Sequence, residues 1–337
     1  MGRAFLYNGE KTNEGAVPKM DQKKKRQLER IRQVQRAKRR LAAGGMTAVV
    51  LLIGVIMFIR IRSQRTEETG QQDIAGLQVQ AASEMTDDEM ADDEQDSAAE
   101  NGVVTADTRA EYLAVMENLC ETDERYQQIL DHQEEYPDSV LKLCVQNEET
   151  LNFVLDYPEK KDLPAEDTVG EVTLGQVPLL LQWDRRWGYA PYGEDGIVAI
   201  SGCGPTCISM VVCALTGRND ITPANVAAYS EANGFLTADR DTTWDLMTFG
   251  CEVYGITGTE IGLDENVMAN QLAAGCPIIA SVGAGDFTAN GHFIVIAAYN
   301  GEAFQVNDPN SIERSQRTWT FEELRYQIRN LWAYSLF

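Results

Sequence analysis

Residues 201–206 read Ser201-Gly202-Cys203-Gly204-Pro205-Thr206, a thiol between two glycines at the mouth of a helix that the following apolar residues predict over 204–216. Pro205 suits a first helical turn, where its missing N–H costs nothing. Gly202 and Gly204 let a second stretch of chain come close to the thiol. Helix N-caps favour Ser, Thr, Asp or Asn, whose oxygens accept a backbone N–H, so capping does not account for Cys203. A helix N-terminus carries roughly half an elementary positive charge, which stabilises a thiolate, and its unpaired amides can hold an oxyanion. Cys203 is therefore the candidate nucleophile; the structural alternative is a small buried hydrophobe at a helix start.

A catalytic thiolate needs a base, and the chain has only two histidines, His132 and His292. His132 sits beside Asp131 and Glu134 on the polar side of a helical stretch and reads as solvated. His292 opens the apolar run Phe293-Ile294-Val295-Ile296-Ala297-Ala298, after the glycine-bearing and flexible segment 282–291. A buried strand has little use for an imidazole at its mouth unless something there needs one, the alternative being a half-exposed strand-end residue. Asn300-Gly301 signals a hairpin that folds the chain after residue 303 back along strand 292–299. A two-residue loop would put Pro309 opposite His292 and Asn307 on its face; a three-residue loop would bring Asp308 to that face diagonally. The group that orients the imidazole thus lies within 307–310, which offers Asn307, Asp308 and Asn310.

Cys207 follows Cys203 by one helical turn, but a zinc site needs four Cys or His ligands and no second such pair occurs. Cys207, Cys213, Cys251 and Cys276 lie in apolar runs and read as core. No cofactor or metal site is expected.

Charge divides the chain. Residues 1–65 hold 16 Lys and Arg against 4 Asp and Glu, so the total of −23 leaves −35 for residues 66–337. The basic excess is confined to a tail beside an apolar run, which argues against a nucleic-acid binder. That run, 41–59, contains no charge and is bracketed by Lys38-Arg39-Arg40 and by Arg60, Arg62 and Arg65. As a helix it would span about 28 Å, close to the thickness of a bilayer's hydrocarbon core. Eleven Lys and Arg over 19–40 against three after the run place the N-terminus in the cytoplasm and everything beyond residue 60 outside.

The expected organisation is a basic cytoplasmic segment 1–40, a transmembrane helix 41–59, a disordered acidic linker 60–105, a small helical module 106–161 and a domain over 168–337. The linker carries Asp87-Asp88-Glu89 and Asp92-Asp93-Glu94 and too little apolar surface to offset its ordering entropy. The module shows Tyr112, Leu113, Val115, Met116 and Leu119 at helical spacing and hints at a duplicated helix-turn unit. Its thiols Cys120 and Cys144 could pair in an oxidising exterior, though nothing in their spacing demands it. In the last domain, helices are predicted over 204–216, 223–233, 243–254 and 265–274, then strands over 277–282, 292–299 and 303–306, a helix over 321–329 and a strand over 332–337. Helices first and antiparallel strands later make an α+β domain.

Gln182-Trp183-Asp184-Arg185-Arg186-Trp187, Tyr192-Gly193, Gly202-Cys203-Gly204-Pro205-Thr206, Gly291-His292-Phe293 and Asn307-Asp308-Pro309, in this order, resemble the bacterial C39-like family of papain-fold cysteine peptidases. The resemblance covers about residues 175–335. It implies an α+β papain-like domain in which Cys203 is nucleophile, His292 general acid and base, Asp308 the orienting residue and Gln182 the oxyanion-hole glutamine. Gln182 precedes the cysteine by 21 residues, further than papain-like glutamines often do, and reads otherwise as a structural amide among tryptophans. Better-known C39 peptidases trim peptide leaders on the cytoplasmic side of exporters. This sequence has no Gly-x-x-x-x-Gly-Lys-Ser/Thr phosphate loop, and its charge pattern puts the domain outside. The expected activity is that of a membrane-anchored extracytoplasmic cysteine peptidase acting on polypeptide or cell-wall peptide. Its rivals are a non-catalytic binding module and an acyl- or amide-transferring enzyme with the same three residues.

Overall fold

Thr108-x-x-Glu111 is a capping box, and it opens the first helix. The Thr108 hydroxyl accepts from the Glu111 N–H at 3.3 Å while the Glu111 carboxylate accepts from the Thr108 N–H at 2.8 Å. The computed structural model describes residues 108–237 and 241–337. The basic segment 1–40, the apolar run 41–59 and the linker 60–105 lie outside the described residues. No helix among the described residues is long and apolar enough to cross a membrane.

Helices α1 (Arg109–Leu119), α2 (Tyr126–Asp131), α3 (Asp138–Gln146), α4 (Leu151–Leu155) and α5 (Tyr157–Lys160) follow, with 3-10 turns at Gln133–Glu135 and Glu148–Thr150. Met116, Ile129, Leu141, Cys144 and Val154 are fully buried between them. Cys120 and Cys144 are both free thiols. His132 is exposed and lies 3.7 Å from Glu135.

The apolar cluster of these helices does not close on itself. It takes in Tyr189 and Ala199 from the later chain, with Trp183, Ile197 and Ile200 packed against it. Phe153 stacks on Tyr189 with ring centroids 4.1 Å apart and planes within 9°, and the Tyr189 hydroxyl donates to the Phe153 carbonyl at 2.8 Å. A stacked aromatic pair adds about 0.5 to 1.5 kcal/mol beyond its buried area. The helices of residues 109–160 therefore share an interior with residues 183–200.

The remaining helices are α6 (Val198–Ser201), α7 (Cys203–Thr216), α8 (Pro223–Ala232), α9 (Trp244–Thr248), α10 (Glu265–Ala273), α11 (Ile312–Gln316) and α12 (Phe321–Arg325). The strands are β1 (Ile256–Glu260), β2 (Ile278–Val282), β3 (His292–Tyr299), β4 (Phe304–Asn307), β5 (Thr318–Trp319) and β6 (Ile328–Leu336). They form one sheet in the order β1-β6-β2-β3-β4-β5, every neighbour antiparallel. The domain is thus α+β, as its pattern predicts. Helix α7 is apolar on every side, from Cys207 to Ala214 without an exposed residue, which is what a helix laid across the middle of a sheet requires.

Several elements differ from their sequence reading. The stretch 243–254 is not one helix: α9 stops at Thr248 and a 3-10 turn, Gly250–Tyr254, carries the chain to Gly255 in the left-handed region. Strand β1 was unread because Ile256-Thr257-Gly258-Thr259-Glu260 is short and mostly polar. Helix α12 ends four residues early, and β6 begins at Ile328 instead of 332. The segment 283–291, read as flexible from its glycines, is tethered. The Gln327 side chain donates to Asp286 Oδ2 at 2.5 Å and accepts from the Asp286 N–H at 2.7 Å, while Phe287 is buried against Trp319.

Candidate active site

Cys203 is the first residue of α7, with Gly202 as N-cap, so its thiol stands at the positive end of a fourteen-residue helix. The short helix α6 aims it there: the Gly202 N–H donates to the Val198 carbonyl at 2.8 Å. Both flanking glycines are sterically required. A Cβ on Gly202 would lie 2.4 Å from the Val198 carbonyl oxygen, and one on Gly204 within 2.9 Å of the Thr242 side chain. Thr242 is thus the second stretch of chain that the glycines admit. Cys203 is partly exposed, whereas Cys207, Cys213 and Cys251 are buried. Burial pushes their thiols up, Cys213 to about 11 and Cys251 to about 12.

His292 is the first residue of β3, 9% exposed, and lines the same cleft as Cys203, near enough for the sulfur to act on its charge. Nε2 lies 2.8 Å from Asp308 Oδ1, which leaves Nδ1 as the nitrogen facing the thiol. Burial opposes charge on the imidazole, but the Asp308 carboxylate, its hydrogen bond and the Cys203 sulfur outweigh burial and raise the pKa to about 10. At neutral pH His292 therefore carries its proton.

The register that brings Asp308 there has its own cause. Next to the turn, Tyr299 pairs with Phe304 across a four-residue loop. Asn300 Oδ1 accepts from the Glu302 and Ala303 N–H groups, and Gly301 takes a φ of 102°. A bulge between Ile296 and Ala298 then shifts the pairing so that Val295 meets Asn307. The far end of the hairpin thus arrives in the register of the three-residue-loop reading, although the loop has four residues.

Asp308 has no solvent exposure, yet every side of its carboxylate is occupied. Oδ1 takes His292 and the Asn310 N–H at 2.7 Å, and Oδ2 takes Arg314 Nε at 2.6 Å. Burial would raise its pKa, but His292 and Arg314 outweigh burial and hold it below the ordinary carboxylate value. Asn307 turns elsewhere, to the Val177 carbonyl at 3.1 Å, and the Asn310 carbonyl accepts from Asn147 Nδ2 and Trp183 Nε1. Neither orients the imidazole.

Gln182 is buried at the same cleft. Its N–H donates to the Pro309 carbonyl at 2.7 Å, which ties it to the loop of Asp308. Its side-chain Nε2 donates to the Ala199 carbonyl at 2.7 Å, and Oε1 has no protein partner. Nε2 also donates to the Ile200 carbonyl at 3.4 Å, so the two carbonyls together fix the plane of the group. Gln182→Ala should lower kcat by about a hundredfold with little change in KM, the cost of losing one oxyanion donor. Steady-state kinetics on any cleaved peptide measures it.

Sequence reasoning missed Arg314 and Glu149. Arg314 is six residues beyond Asp308 and reaches it only because α11 turns back. Glu149, from the 3-10 turn after α3, accepts from Ser311 Oγ at 2.7 Å and from the Ile312 N–H at 2.6 Å, so the helical module caps the helix that carries Arg314. The cleft encloses about 900 Å³ and is lined by Gln182, Cys203, Thr242, Trp244 and His292 from the domain and by Lys142 and Gln146 from α3.

No curated protein matches the chain. A Bacillus anthracis crystal structure, of a candidate C39-like peptidase, aligns at 15% identity with a TM-score of 0.26, covering 48% of this chain and 96% of that one. The model of the Peptidase_C39 like family matches residues 175–335. Gln182, Cys203, His292 and Asp308 all lie within the stretch that matches that family model.

Proposed function

We propose that the chain is a cysteine peptidase that cleaves peptide or amide bonds with Cys203 as nucleophile, His292 as general acid and base, and Asp308 as the residue that orients and charges the imidazole. The observation that carries this reading is that Cys203 and His292 line one cleft with Asp308 2.8 Å from the imidazole, which is held protonated. The Cys203 thiolate adds to the substrate carbonyl carbon. The oxygen that takes the negative charge is met by the Gln182 amide and by the backbone N–H of Cys203 at the start of α7. Collapse breaks the C–N bond, and Nδ1 of His292 gives its proton to the leaving amine. Water then attacks the thioester, His292 takes its proton, and the carboxylic acid leaves as the thiolate is restored.

The apolar run 41–59 and the basic segment before it support an anchored enzyme whose cleft lies outside the membrane, where polypeptide and cell-wall peptide are the substrates within reach. Two measurements test the proposal. Among the thiols of residues 165–337, Cys203 should react fastest with iodoacetamide near neutral pH, and His292→Ala should slow it; equal reactivity of all these thiols would overturn the assignment. A panel of peptides and peptidoglycan fragments offered to wild type and Cys203→Ala then identifies the substrate class, since only cleavage absent from the variant counts.

A further inference from the structure

The chain between Asp308 and Arg314 is gripped from two sides. From the domain, the Gln182 N–H donates to the Pro309 carbonyl and Trp183 Nε1 to the Asn310 carbonyl at 3.1 Å. From the helical module, Asn147 Nδ2 donates to that same Asn310 carbonyl at 2.6 Å. Glu149 takes hold of the next three residues. Its Oε1 accepts from Ser311 Oγ at 2.7 Å and from the Glu313 N–H at 3.2 Å, and its Oε2 accepts from the Ile312 N–H at 2.6 Å. Asn147 also shapes the 3-10 turn that presents Glu149, its Oδ1 accepting from the Glu149 N–H at 3.1 Å.

A continuous row of bonds runs from Glu149 to the imidazole. Ser311 gives its hydroxyl proton to Glu149, which leaves the oxygen free to accept the Arg314 N–H at 3.1 Å as the cap of α11. Arg314 in turn donates from Nε to Asp308 Oδ2 at 2.6 Å, and Oδ1 of that carboxylate meets His292 Nε2 at 2.8 Å. A second branch returns through Ser315, whose hydroxyl donates to the Ser311 carbonyl at 2.7 Å and accepts from the Asp308 N–H at 2.9 Å.

Helix α11 has only five residues, too few to hold a fixed geometry without outside contacts. Glu149 supplies three of those contacts. The Asp308 carboxylate aims one oxygen at each of two cationic groups, so where Arg314 sits decides how squarely Oδ1 faces the imidazole. The charged and titratable groups about His292 are Cys203 on α7, Asp308 after β4 and, behind Asp308, Arg314 on α11; Asp241 and Lys142 line the same cleft.

We propose that Glu149 is a positioning residue for the reaction: it fixes α11, and α11 places Arg314 so that the Asp308 carboxylate is held facing His292. This rests on the peptidase reading above and extends it, because Glu149 belongs to helices that lie before the stretch matching the family model.

A row of bonds is not by itself a coupling, so the test is a double-mutant cycle. The rate at which iodoacetamide labels Cys203 near neutral pH reads the pairing of Cys203 with His292 without any substrate. Glu149→Ala should slow labelling about fivefold in the wild-type background, and by less than about twofold in an Asp308→Asn background, where the carboxylate charge is already gone. Tyr189→Phe removes a module-to-domain bond that does not touch residues 308–315, and should change labelling by less than about twofold. On any cleaved peptide, Glu149→Ala should lower kcat about fivefold and leave KM within about twofold. Glu149→Gln, equal in size but with one acceptor oxygen replaced by a donor, should act in the same direction and serves if the alanine variant does not fold. Labelling unchanged or faster in both Glu149 variants, an equal loss in the Asp308→Asn background, an equal loss from Tyr189→Phe, or a change in KM alone overturns the positioning role and leaves the peptidase reading standing. Labelling of wild-type Cys203 no faster than that of the other thiols overturns both.

Discussion

Cys203→Ser should lower kcat/KM by about ten-thousandfold, and Cys203→Ala should leave only background, as loss of a nucleophile does in other three-residue sites. Serine is the sharper test because it keeps size and hydrogen bonding while changing acidity. The proposed reaction starts with attack by a thiolate beside an imidazolium; the Asp308 carboxylate and the bond to it, together with the Cys203 sulfur, outweigh the cost of burial and hold His292 charged up to about pH 10. A hydroxyl cannot supply that anion near neutrality, and an imidazole that already carries its proton cannot remove another. Geometry alone therefore does not rescue the serine variant. Initial rates on the best peptide of the panel, with enzyme concentration fixed by mass spectrometry, measure the effect; a serine variant keeping more than about one per cent of wild-type activity would contradict the ion-pair mechanism.

Asp308→Asn should cost about a thousandfold in kcat/KM and reshape both the reactivity and the stability of the protein as functions of pH, on the scale of other charge removals at such a site. The amide can still accept from Nε2, but the charge that offsets the burial of His292 is gone, so the imidazole loses its proton at a lower pH. Iodoacetamide labelling of Cys203 should then move to higher pH than in wild type, because the thiolate has lost its cation. The signs of the linkage follow from the two shifts. Asp308, lowered from 3.8, contributes stability that is present above that value and lost as the pH falls through its folded pKa. His292, raised from 6.5 to about 10, contributes stability that is complete below 6.5 and lost as the pH rises toward 10. The difference in Tm between wild type and Asp308→Asn should be greatest between about pH 4 and 6.5 and shrink on either side. Asp308→Ala, which leaves His292 and Arg314 without their buried partner, should cost about 3 to 5 kcal/mol of stability. Parallel Tm profiles for wild type and Asp308→Asn would show that the carboxylate is not what charges the imidazole.

The proximity of Cys203 and His292 was legible because the chain offers so few histidines, and because two glycines and a proline mark the start of α7. Asp308 was legible only as one of three candidates. What selects it is a bulge between Ile296 and Ala298, and a run of apolar residues reads the same with or without a bulge. The α+β pattern was readable from strands that are buried on both faces, such as β2 with all five residues inside. Edge strand β1 and the start of β6, at Arg329 and Asn330, carry polar residues, and their pairing comes from the backbone rather than from a side-chain pattern. Arg314 and Glu149 left no local signal: charged residues on a short helix and a 3-10 turn look solvated until the fold brings Asp308 and α11 to them. The place of α3 on the cleft wall was hidden for the same reason, since Ser139, Lys142 and Gln146 have the spacing of any amphipathic helix.

The stack of Phe153 on Tyr189 bears on how activity could be governed. A protease silenced by a detachable pro-segment needs that segment to depart once cut. Severing the exposed run 161–163 would leave Phe153 on Tyr189, Glu149 on α11 and α3 along the cleft, so the nicked chain would hold together with its substrate channel unaltered. The amino-terminal helices would thus stay in place after such a cut, with α3 still forming one wall of the cleft.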